Sequence, residues 1–247
     1  MAGRVNVYLV ASGKYHDVDF ARLELLKLLG EEERCRVRVA EDYRDVEAIN
    51  ASDALVTYTC DVTPSADEVA GLKRFLGQGK RWLALHGTNS ILRFLDNGKV
   101  ASPDLAPEFM AMLGSQFIAH PPIGRFRVTI ADKNHPLVAG IDEFIVEDEL
   151  YLSDYHGHNH ALLETRYTGK AAGFEREDWP DDTPHLVFYL HEHGGGEVLY
   201  LTLGHCRGKY DMQPLIDAYP FIERGAWNLP VFYTLLRRGL RWAARLD

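Results

Sequence analysis

The sequence predicts an α/β fold in which a parallel sheet carries helices on both faces. Three observations carry that reading. Strand-like and helix-like patterns alternate through the first half of the chain, and their connections are short. The strand-like runs Val5–Val10, Ala54–Thr59 and Lys80–Leu85 are largely apolar. Strands buried on both faces read this way, and alternating strand–helix units return the chain parallel to itself.

The elements follow in order. Val5–Val10 is a strand, and Val18–Leu29 is a helix with Leu23, Leu26 and Leu29 at helical spacing and Gly30 as its cap. Arg36–Ala40 is a short strand and Ala54–Thr59 a buried one. Thr63 and Pro64 supply an N-cap and a first helical residue for a helix reaching Gln78. Lys80–Leu85 is a strand, and Asp104–Leu113 is helical. The second half is less regular, with strands at Arg125–Ile130, Phe144–Glu147, Ala161–Thr165, His185–Tyr189 and Gly196–Leu203. Gly194, Gly195 and Gly196 read as a hairpin turn, because no Lys-Ser/Thr pair follows to make a phosphate loop. Pro230–Arg245 closes the chain with a helix whose stripe of Val231, Leu235, Leu236, Leu240 and Ala243 is core. His158, Asn159 and His160, and the acidic loop Glu175–Thr183, belong on the surface. No repeat or linker interrupts the chain, so residues 1–247 are expected to form one domain.

Composition excludes several classes of function. The 247 residues, 46% of them hydrophobic, can fill a sizeable core. A formal net charge of -9, spread along the chain, leaves no basic stripe for nucleic acid or an anionic membrane. Three dispersed cysteines imply no disulfide framework. No apolar run reaches membrane-spanning length, and no cleavable signal is visible at the N-terminus. A cytoplasmic protein with a small-molecule partner, and open to self-association, is expected.

The chemistry lies in the histidines. Six of eleven fall at strand ends or turns: His16, His86, His120, His135, His156 and His205. In a parallel sheet the carboxyl ends of the strands open onto one crevice. That brings together His16 after the first strand, His86 after Lys80–Leu85 and His205 after the last strand. Imidazole suits metal ligation and proton transfer near neutral pH. Glu147, Asp148 and Glu149 could add an inward carboxylate, since such a run is unusual beside a strand. Neutral imidazoles with one carboxylate suit zinc or a similar divalent metal. No Gly-x-Ser-x-Gly or Gly-x-Cys-x-Gly nucleophile elbow is present; His86-Gly87 stands where one would fall. Cys60 reads as packing and Cys206 as facing away from His205. His135, before Pro136, reads as a turn residue, and His156 and His158 as a reserve pair near the cleft.

Several motifs together resemble a known family. They are Ser12-Gly13 with His16-Asp17, Leu85-His86-Gly87, Phe117 with His120-Pro121, and Asn134-His135-Pro136-Leu137 with Gly140 and Phe144. Asp148-Glu149-Leu150-Tyr151 follows, then Gly195-Gly196-Glu197-Val198-Leu199-Tyr200 running into Leu203-Gly204-His205, and the Leu236–Ala243 helix. In this order they resemble the ThuA-like (trehalose utilisation) proteins over nearly the whole chain. The resemblance implies a flavodoxin-like, class I glutamine amidotransferase-like fold that has lost its cysteine nucleophile. It also implies a role in sugar catabolism, on an oxidised (3-keto) sugar or glycoside. The sequence departs from the family pattern at Gly194–Glu197, where a positive charge is absent, and around Phe188-Tyr189, where a Trp is replaced.

Two functions are therefore expected. The first is a metal-assisted lyase, hydrolase or isomerase with His16, His86, Glu149 and His205 as ligands. His120, Asp17 or Glu149 would then act as base or orienting group, and Ser12, Thr88, Asn89 and Tyr151 would bind substrate. The alternative is a non-catalytic carbohydrate-binding protein using the same cleft.

Overall fold

The computed structural model describes residues 3–246. Strand β1 (Val5–Gly13) leads through helix α1 (Val18–Gly30) to β2 (Cys35–Ala40). Helix α2 (Val46–Ala51), β3 (Ala54–Cys60), α3 (Ala66–Gly77) and β4 (Arg81–Leu85) continue the alternation. Helix α4 (Pro107–Leu113) and β5 (Ser115–Ala119) come next. The second half holds β6 (Gly124–Ile130), β7 (Phe144–Asp148), β8 (Leu152–Tyr155), β9 (Asn159–Arg166), β10 (Pro184–His193) and β11 (Gly196–Leu201). Helix α5 (Pro230–Ala243) ends the chain.

Nine strands form one sheet in the order β2-β1-β3-β4-β11-β10-β9-β6-β7. The first five are parallel, and the remaining four extend the sheet antiparallel. The expected α/β fold is thus present, with an antiparallel wing on its parallel half. Strands β10 and β11 are joined by the tight turn Gly194-Gly195, both at positive φ, which makes an antiparallel hairpin and cannot make a parallel crossover. Strands β5 and β8 pair separately beside the sheet.

Period-2 alternation divides the parallel strands between two cores. Val7 and Leu9 of β1, Val56 of β3 and Leu83 and Leu85 of β4 pack on the face that meets α1 and α5. Tyr8, Val10, Leu55, Trp82 and Ala84 point the other way, toward α2, α3 and α4. Each fully buried large apolar side chain contributes roughly 1.5–3 kcal/mol of transfer free energy. Helices therefore cover both faces, as the apolar strands require.

Local signals moved several boundaries. Helix α3 starts at Ala66, not Pro64, because Ser65 and Glu68 form a reciprocal capping box. Gly30 remains helical and Glu31 follows in the right-handed region, so Gly30 is not a left-handed cap. Helix α4 starts only at Pro107 and ends on left-handed Gly114. The sequence reading did not anticipate α2, which is only six residues long and too short to show a helical period. Asp45 caps it by accepting from Ala48 N, and Tyr43 beside it is fully buried.

Candidate active site

The carboxyl ends of β1, β4 and β11 open together, and they deliver three histidines. Strand β1 ends in Gly13 at φ 122, where a Cβ would lie 2.0 Å from the carbonyl oxygen of Cys60. The chain then turns through Tyr15 (φ 67) to His16. His86 follows β4 directly and is held at φ 46. A non-glycine residue in this region costs of order 1–3 kcal/mol, and such residues cluster at functional sites. Gly87 permits the turn, because a Cβ there would meet Thr59 O at 2.8 Å. His205 comes four residues after β11, through Gly204 at φ 131.

Glu149 completes the group from the end of β7. The alternation of β7 places Glu147 in solvent and Asp148 inside, and Glu149 continues inward beyond it. Asp148 braces the site. It accepts from Glu149 N at 2.8 Å, Ala226 N at 2.8 Å, and Gly204 N and His205 N at 3.2 Å. His16, His86, Glu149 and His205 are all buried, and one ligand atom from each lies within 4.8 Å of the others.

Orientation matters more than proximity here. His86 Nδ1 donates to Thr202 O at 2.8 Å, and His16 Nδ1 donates to Lys14 O at 3.1 Å. With Nδ1 the protonated nitrogen of a neutral ring, each Nε2 keeps a lone pair. These two Nε2 atoms face one another at 2.8 Å. His205 Nε2 donates to Glu223 Oε2 at 2.8 Å, turning Nδ1 toward Glu149 Oε1 at 3.0 Å. His120 Nδ1 donates to Pro121 O at 2.6 Å, so its Nε2 faces Glu149 Oε1 at 3.6 Å. Lone pairs and carboxylate oxygens cannot crowd in this way without positive charge among them.

Electrostatics agree with this arrangement. Burial pushes His16 and His86 below the usual imidazole range, keeping them neutral. Burial also opposes charge on His205, but Glu149 and Glu223 on either side prevail and push it up to about 9. Burial works against Glu149 too, yet the imidazoles of His120, His205 and His16 hold it well below the usual carboxylate range. Burial pushes the Cys60 thiol far up and Cys206 up to about 12, so neither is a thiolate nucleophile.

A cleft of about 490 Å³ opens above this group, lined by His16, His120, Glu149 and Tyr151. Tyr151 brings its hydroxyl 3.3 Å from His86 Nε2. His16, His86, His120, Glu149, His205 and Tyr151 are thus gathered as the sequence suggested. Four other expected residues are not. Thr88 is buried beneath, donating to Leu85 O at 2.8 Å, and Asn89 donates to Ser115 Oγ at 2.7 Å. Both support the loop after β4 and lie away from the cleft. Ser12 is paired within the sheet beside Thr59 and does not line the cleft. Asp17 caps α1 by accepting from Phe20 N at 3.1 Å and pairs with Arg224 at 3.0 Å, so its carboxylate orients no histidine. His156 and His158 line a separate cavity with His191 and His193. His135 accepts from Leu137 N at a short turn, as expected before Pro136.

The sequence reading passed over Arg207 and Glu223. Arg207 is buried, lies 3.8 Å from Glu149 Oε1 and pairs with Glu223 at 2.8 Å. Its position two residues beyond His205 was the available signal. Glu223 had none, because it arrives from an irregular segment.

The fold is a doubly covered α/β sheet whose strand ends gather His16, His86, His205 and Glu149 into one buried group. The chain belongs to the ThuA family, described as trehalose utilisation, whose profile matches residues 4–218. A ThuA-like protein from Parabacteroides merdae is 16% identical, with a TM-score of 0.69 over 99% of this chain and 91% of its own. One from Bacteroides uniformis is 14% identical, with a TM-score of 0.67 over 98% and 92%. A cold-adapted β-galactosidase from Rahnella superimposes with a TM-score of 0.57 at 11% identity, over all of this chain but 32% of the galactosidase. At such identities the likeness is one of fold. No curated protein matches the sequence. Among the described residues, no helix is long and apolar enough to cross a membrane.

Proposed function

We propose that this chain is a single-domain cytoplasmic enzyme of sugar catabolism that holds a divalent metal, zinc or similar, on His16, His86, His205 and Glu149. Its substrate is an oxidised (3-keto) sugar or glycoside, and its reaction a lyase, hydrolase or isomerase step. The observation carrying this reading is the direction of the ring nitrogens. Three imidazoles, each tied through one nitrogen to Lys14 O, Thr202 O or Glu223, aim the other toward one carboxylate. Oxygen partners behind ligating histidines are the usual support of metal sites.

The donor set would fit such an ion once it displaces the proton that His205 carries toward Glu149: three imidazole nitrogens and one carboxylate would then give low net charge. When bound, the metal supplies Lewis acidity to a carbonyl or hydroxyl of the substrate. The rest belongs to the chain. His120, on the wall of the cleft, presents an Nε2 lone pair that can take a proton from the carbon beside a carbonyl. Tyr151 and Arg207 supply donors to the oxygen that gains charge in that step. Burial of His16, His86 and Glu149 keeps water away and strengthens each of these interactions.

The test is elemental analysis of purified protein together with His86→Ala and Glu149→Ala variants assayed on 3-keto-glucosides. Stoichiometric metal that disappears in both variants, with turnover falling at least a hundredfold, is expected. A metal-free protein whose turnover survives both substitutions would falsify the reading.

A further inference from the structure

The cleft above Glu149 has two chemically different ends. Its floor is polar and buried, with His16, Glu149 and Arg207 among its groups. Its mouth is lined by Leu92, Phe94, Val100, Phe174, Met212 and Leu215, whose side chains carry no hydrogen-bonding N or O. Phe94 and Leu215, 49% and 46% exposed, stand on the same wall and give the cleft an apolar entrance. Tyr15 and Tyr219 also line the cleft and are the exceptions, since each carries a hydroxyl.

The two ends are physically joined. Phe174 packs edge-on against His120 with ring centroids 4.9 Å apart, and Tyr15 lies 5.7 Å from Phe94. Tyr219 lies under the Arg207 guanidinium at 5.0 Å. The segment carrying Met212, Leu215 and Tyr219 is stapled at its neck, where Arg207 and Glu223 exchange two backbone hydrogen bonds of 2.9 Å. A substituent projecting outward from a molecule held at the floor would therefore lie across this apolar shelf.

We propose that the mouth is a subsite for an apolar, flat substituent on the sugar, so that the substrates are aryl or similarly apolar glycosides rather than disaccharides. This rests on the reading of the floor as the carbohydrate site and adds the class of glycoside. A second sugar ring would bring several hydroxyls against side chains that cannot pair with them. Each unpaired, desolvated hydroxyl costs about 1–3 kcal/mol. A phenyl ring loses nothing there and gains aromatic contacts with Phe94 and Phe174.

Calorimetric binding of three oxidised ligands tests this: phenyl 3-keto-glucoside, methyl 3-keto-glucoside and 3-keto-maltose. The phenyl ligand is expected to bind at least tenfold more tightly than the other two. Phe94→Ala and Leu215→Ser should each remove most of that advantage while leaving metal content unchanged. Equal affinities, preference for the disaccharide, or no binding of the phenyl ligand would overturn the proposal. Metal content of the same samples separates the two failures. Metal present without aryl preference sinks the subsite alone, whereas protein without metal sinks the reading of the floor.

Discussion

Two regions of this molecule are rich in histidine, and only one of them is built like a site. At the carboxyl ends of β1, β4 and β11, the rings of His16, His86 and His205 each spend one nitrogen on an oxygen partner. The other is aimed toward Glu149. On the wing, His156, His158, His191 and His193 line a cavity of about 590 Å³, comparable in size with the cleft. There both ring nitrogens of His191 face carbonyl oxygens, Nδ1 at 3.1 Å from His158 O and Nε2 at 2.9 Å from Ala111 O, so the neutral ring donates to one of them and aims no nitrogen at a shared ligand position. Its ring therefore works as a structural tie between α4 and the loop before β9. Among the described residues, only the first group brings its donor atoms together closely enough to hold a metal. Histidine count and cavity size do not mark a site; the direction of free lone pairs does.

The sharpest way to break this comparison is to remove one ring from each region. His16→Ala should lower metal stoichiometry from about one toward zero at limiting metal, because it removes one of the four donors that the site brings together. His191→Ala should leave the stoichiometry unchanged. Metal lost in both, or in neither, would erase the distinction between the regions.

A smaller effect tests the support behind a ligand. Glu223→Gln keeps the size of the side chain but removes the charge that accepts from His205 Nε2. Metal affinity should fall 10–100-fold, as it does when an oxygen partner behind a ligating histidine is altered. Titration with a competing chelator reads this directly. An unchanged affinity would show that Glu223 does not position His205.

The smallest effect belongs to the wing. Burial is the main cause that pushes His191 below the usual imidazole range, with His156 and His158 adding to it against the two carbonyls. The unfolded chain therefore takes up this proton more readily than the folded one. Its contribution to stability is full above the unfolded pKa of about 6.5 and is lost as pH falls below it. His191→Leu should flatten the fall in Tm between pH 7 and pH 5 by a few degrees. A pH profile unchanged by the substitution would count against this assignment.

What the sequence determined by itself was the alternation of elements and the residues at the strand ends. Apolar runs such as Ala54–Thr59 can be buried only on both faces, so helices must cover the sheet. Parallel strands must then open His16, His86 and His205 onto one crevice. Those are local and topological consequences, readable without coordinates. The acidic run Glu147–Glu149 was legible because it is out of place beside a strand, and the choice of Glu149 within it came from the family resemblance. The antiparallel wing was less legible, since its strands resemble those of a parallel sheet until their partners are known. Tertiary structure alone decided the roles of Asp17, Thr88 and Asn89, which side-chain type suggested for chemistry and packing assigned to caps and supports. It alone brought Glu223 to His205 across an irregular segment, because no local periodicity records a contact between such distant stretches. The tautomers were likewise decided there: which ring nitrogen is free depends on which carbonyl or carboxylate lies behind it, and no sequence spacing encodes that.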